Sequence, residues 1–360
     1  MKRFIFSSIA LMVAVTSCTE SGLIDMPEFY GNSIVFDTYV GKAPVTKAEN
    51  ATLNVLQSNL DNGGGAHIYA FETEDGNRNP ELIDRSSTFM DGRLLYASSA
   101  WGYYYDRGDS DWVQDEVFWP GKVDLAFVAY NLAAESCISN PTSTQFDFEV
   151  MDEVADQVDL LVTPMIFVDE NTGGDTSVGL EFYHLLSRVG FKVLATSSTD
   201  AQINIYSLKL CGSFPRTGRV NLASTTASIA PNTTGEYVSE YALFSVGDDD
   251  AAPFTIVSSE CAEGEDGPQP VYSTDEDDRF MMIMPGSGEN ATIELVYNLS
   301  GETERHFARV QLKKADGTDL IFAAGKSYEL ILRIATQAIE FSAEVVEGGW
   351  IEQDDDIDVE

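Results

Sequence analysis

The first position able to carry chemistry is the thiol of Cys18, which directly follows Val15-Thr16-Ser17. Upstream lie Lys2 and Arg3 and then the apolar run from Phe4 to Val15. A basic start, a short apolar stretch and small residues before a cut make a secretory signal, too short to anchor a chain across a bilayer. Small residues ending on a cysteine form a bacterial lipobox, in which the thiol is acylated before the peptidase cuts. Residues 1–17 are therefore expected to leave as a signal peptide, and Cys18 to carry the lipid. Several acyl chains, each contributing roughly 0.8 kcal/mol per buried methylene, hold a protein on a membrane firmly.

Nucleophilic catalysis would need a positioned base, and the histidines are His67, His184 and His306. His184 shares strand parity with Leu180, Phe182 and Leu186, which makes it a core histidine with a hydrogen-bond partner. His306 follows Arg305 in an exposed turn. No G-x-S-x-G, H-E-x-x-H or P-loop pattern is present. With 59 acidic residues, close carboxylate pairs arise by chance and do not argue for a glycosidase dyad. Asp106, Asp109 and Asp111 cluster in one loop, but their spacing lacks the glycine and terminal glutamate of an EF-hand and reads as a solvated turn. Cys137, Cys211 and Cys261 are widely spaced, outside any CxxC, and read as isolated or buried thiols. No enzyme activity, metal or cofactor is expected. Aromatic faces can stack on sugars, and the exposed members of the aromatic cluster are expected to be Tyr104, Tyr105 and Trp112, a candidate glycan or partner contact.

The elements that must position these groups are strands. The net charge is −38, from 21 basic and 59 acidic residues among 360, which excludes nucleic acid as a partner. At 44% hydrophobic and 11% aromatic the chain is globular, and its length suits two domains. Apolar and polar residues alternate over five to ten positions between Gly, Asn, Asp and Ser clusters. Ile293, Leu295, Tyr297 and Leu299 share one face; so do Tyr328, Leu330, Leu332 and Ile334, and Ile339, Phe341, Ala343 and Val345. Ile34, Phe36 and Val40 form the apolar face of a first strand. Helical spacing occurs only at 48–60 and 150–161. A composition break at Ser197-Ser198-Thr199-Asp200 is read as a domain boundary. The expected division is 18–47 as an N-terminal segment with the first strand, 48–198 as one sandwich, and 199–360 as a second with an acidic tail.

In order and spacing, several motifs resemble those of the fimbrillins, the lipoprotein-precursor pilins of the type V pilus. They are the lipobox, Thr46-Lys47-Ala48, Trp101-Gly102-Tyr103, Phe118-Trp119-Pro120, Val123 to Tyr130, Leu180 to Phe191, Gly325-Lys326-Ser327-Tyr328 and Gly348-Gly349-Trp350. The resemblance covers nearly all of the mature chain. It implies an all-β fold of two transthyretin-like antiparallel β-sandwich domains in series, with Trp101 and Trp119 in the first core. It also implies an outer-membrane lipoprotein carrying palmitate at Cys18, exposed at the surface or built into a fimbrium. Other fimbrillin-like subunits are the implied partners. Stalk subunits of the family usually have arginine at the processing step, where this chain has Lys47. A cut between Lys47 and Ala48 would release the strand carrying Ile34, Phe36 and Val40 and open a groove for a neighbour's strand. The alternative is a monomeric surface lipoprotein that binds glycan through its aromatic loop.

Overall fold

The structure, a computed structural model, describes residues 33–40, 64–74, 76–97, 100–108, 110–121, 123–169, 177–195, 202–246, 253–257, 269–270, 280–314, 317–334 and 341–349. Cys18, Lys47, Ala48, Asp109, Cys261, the 48–60 stretch and the 197–200 break lie outside these residues.

The first half contains β1 (Phe36–Val40), β2 (Ala66–Thr73), β3 (Met90–Ala97), β4 (Ala100–Asp106), β5 (Trp112–Asp115) and β6 (Asp124–Asn131), followed by β7 (Ile138–Ser139), β8 (Gln145–Glu149), β9 (Leu161–Val162), β10 (Ile166–Val168), β11 (Val178–His184) and β12 (Ser187–Ala195). The second half contains β13 (Gln202–Pro215), β14 (Thr217–Asn221), β15 (Ser228–Pro231), β16 (Tyr237–Ser245), β17 (Phe254–Val257) and β18 (Gln269–Pro270), then β19 (Met281–Ile283), β20 (Thr292–Leu299), β21 (His306–Gln311), β22 (Lys326–Ile334) and β23 (Phe341–Gly349). Of the helical spacing at 150–161, only a 3-10 turn at Val154–Asp156 forms. Alternation is what makes these strands: Ile293, Leu295 and Tyr297 are buried on β20, and Tyr328, Leu330 and Leu332 on β22. β6 instead reads Asp-Leu-Ala-Phe-Val-Ala-Tyr-Asn and is buried on both faces, as a strand between two layers must be.

The fold is all-β, with antiparallel sheets stacked as sandwiches in series. The first sheet runs β1-β11-β9-β6-β2-β3-β4-β5, with β10 also on β6. It curls until its ends meet, for β1 contacts β4 and Ser33 bridges Phe118 just beyond β5. Inside the curl lie Ile34, Phe36, Ile68, Leu94, Trp119, Leu125, Phe127, Leu180 and Phe182, all buried. The other sheets run β18-β12-β22-β23 with β19 on β12, β16-β13-β20-β21 with β17 on β13, and β15-β14-β8-β7. They enclose a second core that reaches back to Tyr69, Phe71, Val128 and Tyr130 on the outer face of the first sheet.

Two pairings are parallel, β1 with β11 and β12 with β22. Pairing also crosses residue 198 in both directions. β12 lies upstream of it yet sits between β18 and β22, and β8 pairs with β14 from downstream. By hydrogen bonding, the second sandwich therefore takes strands from before the composition break.

Candidate functional site

The site with the most distinctive construction is the seat of β1. Along β1 and the two residues before it, Ile34, Phe36 and Thr38 point inward and are buried, while Val35 and Asp37 point outward, Val35 being 52% exposed. Val40, expected on the same apolar face, pairs its backbone with Phe182. The strand is gripped on two sides. Along β11 the register runs from Phe36 opposite Val178 to Val40 opposite Phe182, and the Val178 amide donates to the Val35 carbonyl at 2.7 Å. On the other side the Ile34 amide donates to the Val117 carbonyl at 2.7 Å. Ser177 Oγ donates to the Asp37 carboxylate at 2.5 Å. Beneath the strand, Phe36 and Trp119 each meet Phe127 edge to face, with centroids at 6.0 and 6.4 Å. Thr38 is the poor fit, because its Oγ1 is buried with no hydrogen-bond partner among the described residues. A strand of five residues seated this way is followed, before β2, by the stretch 41–63 that contains Lys47 and Ala48.

The aromatic candidates separate. Tyr104 lies between Arg93 of β3 and Gln114 of β5, and Trp112 opposes Asp106, which puts Tyr104 and Trp112 on one face of the sheet. Tyr105 has the opposite parity and accepts a hydrogen bond from Arg107 Nε at 3.2 Å. Tyr103, on that same side, lays its ring across Gly92, where a Cβ would come within 2.6 Å. Trp112 is half-buried, with the Arg93 guanidinium over its ring at 4.0 Å, a cation–π contact. Trp119 is buried and Trp101 packs at the edge of the same core. Asp106 turns back on its own loop, accepting from the Gly108 amide at 2.8 Å, and no group of three metal-ligating side chains occurs among the described residues.

Beside Arg93 lies a cluster built around His67, for which the sequence indicated no partner. The His67 ring stacks with those of Tyr69 and Tyr130, with centroids at 4.6 and 5.2 Å. Its ring nitrogens face Asp91 at 2.9 Å and Glu135 at 3.2 Å, and Arg93 donates to Glu135 at 2.6 Å. Burial disfavours the imidazolium, but hydrogen bonds and charge from Asp91 and Glu135 outweigh it and hold its pKa above the usual value. Glu135 is pressed upward by burial, yet the hydrogen bond from His67 and the charge of Arg93 carry it below the usual range. Burial pushes Tyr69 up to about 12 and Tyr130 higher still, so both stay neutral.

A histidine whose pKa is raised by folding stabilises most below about 6.5, its unfolded value, and loses that contribution as pH rises through the folded pKa. The stability lost in His67→Gln is therefore expected to be larger at pH 6 than at pH 8. Urea unfolding of both proteins at the two pH values checks this; an equal loss at both would remove the charged pair from the account.

His184 is almost covered and meets Asp159 at 2.6 Å, the core histidine with a partner that its parity implied. The thiols of Cys137 and Cys211 are both free. Burial raises both, Cys211 to about 11 with help from Glu294 and Glu240, so neither is a nucleophile at neutral pH.

This arrangement has relatives. A family model described as fimbrillin-like matches residues 50–347. A fimbrial protein from Bacteroides vulgatus ATCC 8482 has a similar structure, at TM-score 0.57 and 19% identity, over 88% of this chain and 99% of that one. A candidate cell adhesion protein from Bacteroides ovatus ATCC 8483 follows at TM-score 0.50 and 13% identity, over 90% and 99%. No curated protein sequence matches the chain. At such identities the solved structures speak for the fold, while the match across 50–347 spans both sandwiches and every strand from β2 to β22: the chain belongs to the fimbrillin-like family.

Proposed function

We propose that this protein is a structural or adhesive subunit of a surface fimbria. In this reading it is delivered as a lipoprotein acylated on Cys18 and joined to its neighbours by strand exchange after a cut between Lys47 and Ala48. The observation that carries the reading is the seat of β1. The strand and the residues just before it fill a groove lined by a core, contribute Phe36 and Ile34 to it, and β1 is the only neighbour along the outer edge of β11 among the described residues. Loss of β1 would leave that edge unpaired and the apolar floor open, which is a template for another chain's strand. The buried hydroxyl of Thr38 leaves the occupant imperfect, and a strand with an apolar residue there would fit better.

The adhesive role draws on the fimbrial and cell adhesion proteins of similar fold, and with it a place at the cell surface or in a fimbrium. The lipid and the cut rest on the sequence around Cys18 and Lys47. Intact-mass measurement of protein from the cell surface tests the proposal. A chain beginning at Ala48 is expected for a polymerised subunit. An acylated chain beginning at Cys18 in every molecule would leave β1 in place and reject the polymerising role. Replacing Cys18 with serine is expected to abolish incorporation of labelled fatty acid; undiminished labelling would reject the anchor.

A further inference from the structure

A cavity of about 270 Å3 opens on the outward face of the β16-β13-β20-β21 sheet, and a break in strand phase makes it. In β13 the buried residues Ile203 and Ile205 are odd-numbered, whereas Leu208 and Leu210 are even-numbered. The register with β20 passes from Ile205 opposite Tyr297 to Ser207 opposite Val296, leaving Tyr206 with no counterpart. Such a β-bulge re-aims side chains. Here Tyr206 and Ser207, although consecutive, both line the cavity, and Lys209 follows them. Ser207 lies opposite Ser245 and Val296, and Val296 opposite Phe307, so the floor is small between two aromatic walls. Phe307 is 62% exposed. The Arg305 guanidinium lies 3.9 Å from the Tyr206 ring centroid and closes one end.

Two of the three charged side chains of the rim are ion-paired, and the third, Arg305, lies over the Tyr206 ring. Lys209 pairs with Glu240 at 2.8 Å and Glu294 with Arg309 at 3.3 Å. Such pairs offer donors and acceptors without a bare charge calling for a counter-ion. An exposed aromatic wall, hydroxyls on the floor, and donors and acceptors on the rim complement a pyranose, which has an apolar C–H face and a ring of hydroxyls. The volume falls just below the roughly 300–1,000 Å3 of pockets for drug-sized ligands, room for one ring and not for an extended chain.

We propose that this cavity binds one neutral hexopyranose ring of a glycan, with its apolar face on Phe307 and its hydroxyls shared among Ser207, Lys209 and Glu294. The site is independent of strand exchange and would serve a monomer equally well. The test is saturation-transfer NMR on the purified full chain with the methyl glycosides of glucose, galactose, mannose and N-acetylglucosamine, and with sodium glucuronate. Transfer to at least one neutral glycoside is expected, reduced about fivefold by Phe307→Ala, the scale of one aromatic contact. Ser207→Trp, which fills the floor, is expected to remove it. Phe307 is exposed, so its truncation leaves the fold intact and the test stands even if the tryptophan variant misfolds. No transfer to any neutral glycoside, transfer to glucuronate alone, or transfer undiminished by Phe307→Ala would overturn the proposal.

Discussion

Protein cut after Lys47 and freed of its first strand is expected to bind a synthetic peptide of residues 31–42, while uncut protein is not. In the intact chain the groove is filled in cis, with Ile34 and Phe36 buried and the backbone of β1 paired to β11. Each large apolar side chain withdrawn from such a groove forfeits roughly 1.5–3 kcal/mol of burial, and the open edge of β11 forfeits its hydrogen bonds. Phe36 carries most of this, standing edge to face on Phe127 in a closed core. A peptide with Phe36→Ala is expected to lose about 3 kcal/mol or more, which is over roughly a hundredfold in affinity. Thr38→Val should act in the opposite direction. It removes a buried hydroxyl that has no partner among the described residues and whose burial costs about 1–3 kcal/mol, so the valine peptide should bind more tightly and the intact valine protein should resist exchange. Fluorescence anisotropy of labelled peptides measures all three. Equal binding of the wild-type and alanine peptides, or binding to uncut protein, would mean that the groove of β1 is not the acceptor.

A fragment of residues 200–360 is expected to have no cooperative unfolding transition. Its sheet would lack β12, which lies between β18 and β22 and also pairs with β19, so three sets of backbone partners vanish at once. With β12 go Val189, Phe191 and Val193 from the core, and with β8 go Phe146 and Phe148, which pack over β14 and its neighbours. Five large side chains at roughly 1.5–3 kcal/mol each together are comparable to the usual margin of about 5–15 kcal/mol for a whole domain. Thermal and urea unfolding followed by near-ultraviolet circular dichroism gives the answer. A sharp two-state transition in the fragment would mean that the downstream residues hold a complete core without β12. Adding a peptide of residues 186–196 should restore part of the lost signal if β12 is the missing piece.

The strand content and the partnered His184 were legible locally, because whether a side chain points in or out follows from parity along one strand, whereas the burial of Trp119 was implied only by the family resemblance. The phase break in Gln202 to Leu210 is legible in the same way: Ile203 and Ile205 give way to Leu208 and Leu210, and an alternation that changes parity marks a bulge. Parity also separates Tyr105 from Tyr104 once both are known to share β4. Composition could not show which strand lies beside which, because backbone amides and carbonyls are chemically alike along the chain and carry no address. Nothing in the polar run at 197–200 shows that the hydrogen bonds of β12 reach past it to β22, more than a hundred residues on. The His67 cluster draws on β2, β3, β6 and the 3-10 turn at Leu132–Cys137, and its members come together only when those elements pack. Side-chain alternation, a local steric property, let the sequence by itself determine an all-β chain with defined inward faces. The partners of those strands, the parallel seat of β1 and the sharing of strands between sandwiches were decided only by the tertiary structure, because pairing is settled by which apolar faces can be covered together.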